Sequence, residues 1–130
     1  MRSVFILLGA FCAFLGVSFG AFGAHALKAT LTAEALAIYQ TGVTYQMWHS
    51  LGLIGVGLIH SQTPETKLIN WAGWFMFIGI LLFSGSLYAL ALLDIPKLGM
   101  ITPLGGSCFL IAWLLLCLSV NKNKSKKRYQ

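Results

Sequence analysis

The sequence predicts an all-α fold, a transmembrane four-helix bundle with both termini cytoplasmic. Three observations carry that reading. Of 130 residues, 58% are apolar and 9% are charged, with a mean hydropathy of +0.81; soluble domains run at roughly 45–50% apolar and about 25% charged. A water-soluble enzyme and a disordered chain are therefore excluded. Charge-free stretches cover 3–27, 35–64, 68–93 and 98–121, each long enough for the about 20 helical residues that cross roughly 30 Å of hydrocarbon. Finally, nine Lys and Arg against three Asp and Glu give a formal charge of +6, but Lys122, Lys124, Lys126, Lys127 and Arg128 all fall at the C-terminal end. Charge gathered in a tail concerns orientation and lipid, not an acidic substrate or nucleic acid. The expected organisation is one domain over 1–121, with spans at about 4–26, 33–60, 64–93 and 98–120, and a polybasic cytoplasmic tail over 122–130.

The elements follow in order. Arg2, an apolar run and Ala24-His25-Ala26 imitate a secretory signal, but the run exceeds the roughly 7–15 residues of a signal core. Phe11 before Cys12 is too bulky for a lipoprotein cleavage site. The segment is read as the first span. Thr32 before Ala33-Glu34 marks the second as an N-cap with an acid in the first turn, and Thr63-Pro64-Glu65 repeats that grammar for the third. Leu93-Asp94-Ile95-Pro96-Lys97 predicts a tight turn, so the last two spans form a hairpin. Pro103 in the opening turns of the fourth span predicts a local kink, with the freed carbonyl satisfied by a neighbouring helix or by the Thr102 hydroxyl. With four spans, Arg2, Lys67 and the five tail cations share one side against Lys28 and Lys97 on the other, which places both ends inside the cell. Trp71 and Trp74 suit an interfacial anchor, while Trp48 and Trp113 sit deeper.

Small residues predict how the spans associate. Gly9, Ala13, Gly16, Gly20 and Gly23 are spaced 4, 3, 4 and 3 apart, one seam on the first helix. Lipid offers no hydrophobic drive between helices, so association depends on close packing at such seams. Gly42, Gly52 and Gly55 add to the second span, and Gly99, Gly105, Gly106 and Ala112 to the fourth.

The second span holds the one dense polar constellation, Tyr39, Gln40, Thr41, Thr44, Tyr45, Gln46, His49 and Ser50. Unpartnered polar groups in hydrocarbon cost several kcal/mol, so these side chains face the bundle or a wet cavity. Gln46 and His49 share a face, as do Tyr45 and His49. Two readings stand: interhelical adhesion, or a proton or solute pathway past Gln46 and His49, because His exchanges a proton near neutral pH. His25 closes the first span, about 15–20 Å along the axis from His49 by helix rise, which argues against both imidazoles serving one metal or haem iron. His60 reads as a cation at a helix C-terminus.

Other chemistry is sparse. No span contains a carboxylate, which weighs against a small drug or proton exchanger. No nucleophile elbow, HExxH or phosphate loop occurs, and no catalytic residue is assigned. Cys12, Cys108 and Cys117 lie in apolar stretches without a CxxC pair, so they read as small polarizable hydrophobes; no metal and no cofactor are expected. The tail predicts anionic lipid headgroups at Lys122, Lys124, Lys126, Lys127 and Arg128, and no nucleic acid.

Four ordered motifs carry a resemblance: Gly20-Ala-Phe-Gly-Ala-His25, Tyr39-Gln with Tyr45-Gln-Met-Trp-His49, Gly85-Ser-Leu-Tyr88, and Ile101-Thr-Pro-Leu-Gly-Gly106. Together they resemble the YgdD-like small membrane proteins, a domain-of-unknown-function family with animal relatives. Trp48 stands where that pattern favours Tyr or another large residue. The resemblance covers nearly the whole chain up to the tail and implies a four-span protein of the bacterial inner membrane. It carries over no activity, but it favours a shared site involving His25, Tyr39, Gln46 and His49. The functional expectation is a non-enzymatic membrane bundle acting in assembly, as a homo-oligomer or beside a larger membrane complex; a small channel or carrier is the alternative.

Overall fold

The structure, a computed structural model, describes residues 3–64 and 66–129, except for the side chains of Asn123, Lys124 and Lys126. Arg2 and Glu65, used above for orientation and capping, lie outside the described residues, as do the side chains of Lys124 and Lys126. Helix α1 spans Val4–His25, α2 Ala33–Gln62, α3 Lys67–Gly79, α4 Gly85–Leu93 and α5 Thr102–Arg128. A π-helical stretch, Ile80–Ser84, joins α3 to α4 in one rod over Lys67–Leu93. The described residues thus form four long rods and no strand, with short 3-10 turns at Leu27–Ala29 and Pro96–Met100. Val4–Ala29, Lys67–Leu93 and Pro96–Lys122 are long and apolar enough to cross a membrane. Helix α2 is longer than α1 at 30 residues, but its polar run from Tyr39 to Ser50 lowers its hydropathy.

Two helix ends follow from local chemistry as expected. Thr32 Oγ1 accepts the Ala35 amide at 3.1 Å and starts α2. Asp94, with φ 52 and ψ 45, closes α4 in the left-handed region that short polar residues tolerate. Two other ends differ from expectation. Thr63-Pro64-Glu65 does not begin the third rod: Thr63 ends α2, its hydroxyl donating to the Ile59 carbonyl at 2.9 Å, and α3 starts at Lys67. Proline excludes the residue before it from helical geometry, so Pro64 acts on Thr63 (φ −136, ψ 61) as a stop signal. Pro103 stands in the first turn of α5, where no amide partner is required. Within the expected fourth span the geometry changes from the 3-10 turn Pro96–Met100 to α5 at Ile101, and the Thr102 hydroxyl meets Ser86 Oγ at 2.6 Å rather than a freed carbonyl. Helix α5 continues through the basic tail to Arg128.

Helix α1 packs along α2, α3 packs along α5, and α2 also lies against the rod of α3 and α4. The small-residue seam forms the first of these contacts. A Cβ built on Gly9 would lie 2.8 Å from the Ser50 carbonyl oxygen, while Gly16, Gly20 and Gly23 face Met47, Val43 and Tyr39. Ala13 is half-buried on the same helix. Gly105 meets the backbone of Phe83 in the π-helical stretch, and Gly106 lies 3.8 Å from the Phe83 ring by the same construction. Around these approaches Phe5, Leu53, Val56, Ile69, Met76 and Ala112 form the central core.

Candidate functional site

Tyr39, Gln46 and His49 of α2 are buried and directed into three separate helix contacts, whereas Gln40, Thr41, Thr44 and Tyr45 are exposed, contrary to the expectation that the whole constellation faces inward. Gln46 is buried, 4% exposed. Its Nε2 donates to the Cys12 carbonyl of α1 at 2.8 Å, and its Oε1 accepts from the Tyr88 hydroxyl of α4 at 2.5 Å. One side chain thereby ties the first, second and third rods. Ser50 Oγ, one turn on, donates to the Gln46 carbonyl at 2.5 Å.

His49 turns toward α5. Its Nδ1 lies 2.8 Å from the Tyr45 carbonyl and its Nε2 3.0 Å from Trp113 Nε1. A carbonyl only accepts and an indole N–H only donates. These partners place the imidazole proton on Nδ1 and leave Nε2 as the acceptor. Phe109 stacks on the ring with centroids 3.5 Å apart and planes 11° apart. Tyr45 lies nearly parallel to the imidazole at 6.0 Å, beside Phe109 at 6.4 Å, and also packs against Phe83 at 4.5 Å. Gln46 and His49 share the helix face expected of them, but their polar ends serve different neighbours.

Nearer the start of α2, Tyr39 fills the space left by Gly23, and its hydroxyl donates to the Phe19 carbonyl at 2.6 Å. Its ring lies 5.2 Å from that of Tyr88. Tyr88 therefore connects the Tyr39 and Gln46 contacts. His25 is exposed at the end of α1 and joins none of the described contacts of this cluster. Among the described residues, no group of three or more His, Cys, Asp or Glu side chains is arranged to hold a metal, and the three cysteines are free.

Several partners were not identified from sequence. Tyr88 stood within a motif, Gly85-Ser-Leu-Tyr88, that could have marked it as a partner for a polar residue of the second span. Trp113 offered only its depth as a signal. Ser84 donates to the Gly42 carbonyl at 2.7 Å from the π-helical stretch, and nothing in the sequence indicates that local change of helical pitch.

The residues that make these contacts fall largely within the part of the chain matched by a family model. The model described as "Protein of unknown function (DUF423)" matches residues 19–106. This chain belongs to that family. It is 48% identical to a UPF0382 membrane protein of Staphylococcus haemolyticus (strain JCSC1435), over 92% of this chain and 96% of the relative. It is 50% identical to a UPF0382 membrane protein of Staphylococcus epidermidis (strain ATCC 35984), again over 92% and 96%. The UPF0382 membrane protein YwdK of Bacillus subtilis (strain 168) is 46% identical over 92% of this chain and 97% of its own. No solved structure matches. The relatives and the apolar helices make this an integral membrane protein of a family without an assigned function, which accords with the expectation from sequence.

Proposed function

We propose that the chain crosses the bacterial plasma membrane four times with both ends in the cytoplasm. In this reading it works without enzymatic turnover, as a helical assembly unit whose polar interior holds its helices in register. The observation that carries the reading is the engagement of Gln46 and His49. Both polar ends of the amide and both ring nitrogens are taken by backbone carbonyls, a tyrosine and a tryptophan. A translocation path requires polar groups turned toward water or solute; these are turned toward other helices.

Counting α2 as the fourth crossing is supported by the same contacts. Its length corresponds to about 45 Å of helix, and the exposed Thr41 and Thr44 hydroxyls bond to carbonyls of their own helix at 3.0 and 2.9 Å. The orientation rests on Lys67 and the basic tail sharing one side against Lys28 and Lys97. The partners are then anionic lipid at the tail, and a second copy or a larger membrane complex along an apolar flank such as Leu7, Phe11 and Phe14 of α1, which is exposed.

Purified chain reconstituted into vesicles tests this. The expected result is proton and small-solute flux no greater than in empty vesicles, for the unaltered chain and for His49→Ala alike. Flux that depends on His49 would overturn the proposal in favour of a channel or carrier.

A further inference from the structure

At the start of α3 and the end of α5, Leu68, Leu118, Asn121, Lys122 and Ser125 line an open groove of about 410 Å³. Its composition changes along the axis of α5. Leu118, Lys122 and Ser125 are spaced four and three residues apart, which sets them on one face of a helix, and α5 is helical throughout this stretch. Leu68 and Leu118 make one end of the groove apolar, and Asn121, Lys122 and Ser125 make the other polar. The charge carried by the sequence of α5 is of one sign: no Asp or Glu follows Asp94, while Lys122, Lys124, Lys126, Lys127 and Arg128 fall in its last turns.

We infer that this groove seats one anionic phospholipid, with the first part of an acyl chain against Leu68 and Leu118 and the phosphate against Lys122, Asn121 and Ser125. Charge complementarity selects the occupant. An amphiphile with a negative headgroup matches both ends at once, whereas a peptide helix or a second copy of this basic end would bring apolar or like-charged surface to Lys122. Basic grooves between membrane helices take lipid headgroups by the same combination of charge and depth. The inference deepens the lipid contact in the proposed function by giving it a defined seat rather than a diffuse attraction to the tail.

Native mass spectrometry of the full chain, released from detergent in the presence of phosphatidylglycerol, phosphatidylcholine or inorganic phosphate, tests the seat. The expected result is one retained phosphatidylglycerol per chain, displaced neither by phosphatidylcholine nor by inorganic phosphate. Lys122→Gln should weaken retention about five-fold, the equivalent of one lysine near an anionic headgroup. Leu118→Asn should weaken it with the charge unchanged, and Lys127→Gln should weaken it less than Lys122→Gln. Equal retention of phosphatidylcholine, displacement by inorganic phosphate, or equal losses for Lys122→Gln and Lys127→Gln would each overturn the seat. Retention in detergent does not depend on which side of a membrane the tail faces, so this result separates from any failure of the proposed orientation.

Discussion

Gln46 is the side chain whose loss reaches furthest, because its two polar ends bond to different helices. Replacing it by Leu leaves the Tyr88 hydroxyl and the Cys12 carbonyl without these partners. Interhelical hydrogen bonds in membranes average about 0.6 kcal/mol with a maximum of about 1.7. Gln46→Leu is therefore expected to destabilise the detergent-solubilised protein by about 1–3 kcal/mol in an equilibrium unfolding titration. Tyr88→Phe removes one of the same two bonds. The two substitutions should consequently cost less together than the sum of their separate effects. Strict additivity would show that the Tyr88–Gln46 bond contributes nothing to stability. His49 is similarly committed, with Phe109 on its face and Trp113 at its edge. His49→Phe keeps an aromatic ring for stacking but leaves the indole N–H unpaired. Its expected cost is about 1–3 kcal/mol in the same titration, with vesicle flux unchanged.

Among the helices, glycines are separated by what faces them. At Gly9 an added methyl would meet the Ser50 carbonyl oxygen and the Ile54 amide nitrogen, backbone atoms that cannot turn away. Gly9→Ala is expected to push α1 from α2 and to destabilise by about 1–3 kcal/mol. Gly55, on α2, has nothing within 4 Å of an added Cβ. Gly55→Ala should be neutral or slightly stabilising, since alanine favours helix over glycine by about 1 kcal/mol. Equal losses at the two positions would contradict the α1–α2 contact described here. The π-helical stretch belongs to the same scale. It brings Ser84 to the Gly42 carbonyl on one side and leaves Phe83 against Gly105 on the other, so one local widening of the helix serves both neighbours.

For the molecule as a whole the decisive quantity is the side of the membrane on which each end lies. In a chain whose three cysteines have been replaced by alanine, Ser125→Cys should resist a membrane-impermeant thiol reagent added to intact cells. Asp94→Cys, in the exposed turn before Pro96, should react with it. The reverse pattern, or labelling of both, would remove the four-crossing arrangement with cytoplasmic ends. Lys28→Cys, in the exposed turn before α2, should react as Asp94→Cys does; this bears on α2, because without its crossing the two turns lie on opposite sides.

The sequence by itself determined the membrane character, the helical class and the stretches that form the rods. Those properties depend on composition and on runs of about 20 residues, and neither needs a neighbour to be known. It also disclosed the seam from Gly9 to Gly23, because a helix repeats at a known angle. It could not determine which helix the seam met. Pro64 and Pro103 show the limit locally: a proline is read as a start, a stop or a kink only once the helix ends around it are known. Only the tertiary structure decided that Gln46 and His49 part company, one toward Cys12 and Tyr88 and the other toward Trp113. Partners 34, 42 and 64 residues away in sequence are chosen by the lateral packing of the helices, and the periodicity within a single helix carries no information about which neighbour its face will meet.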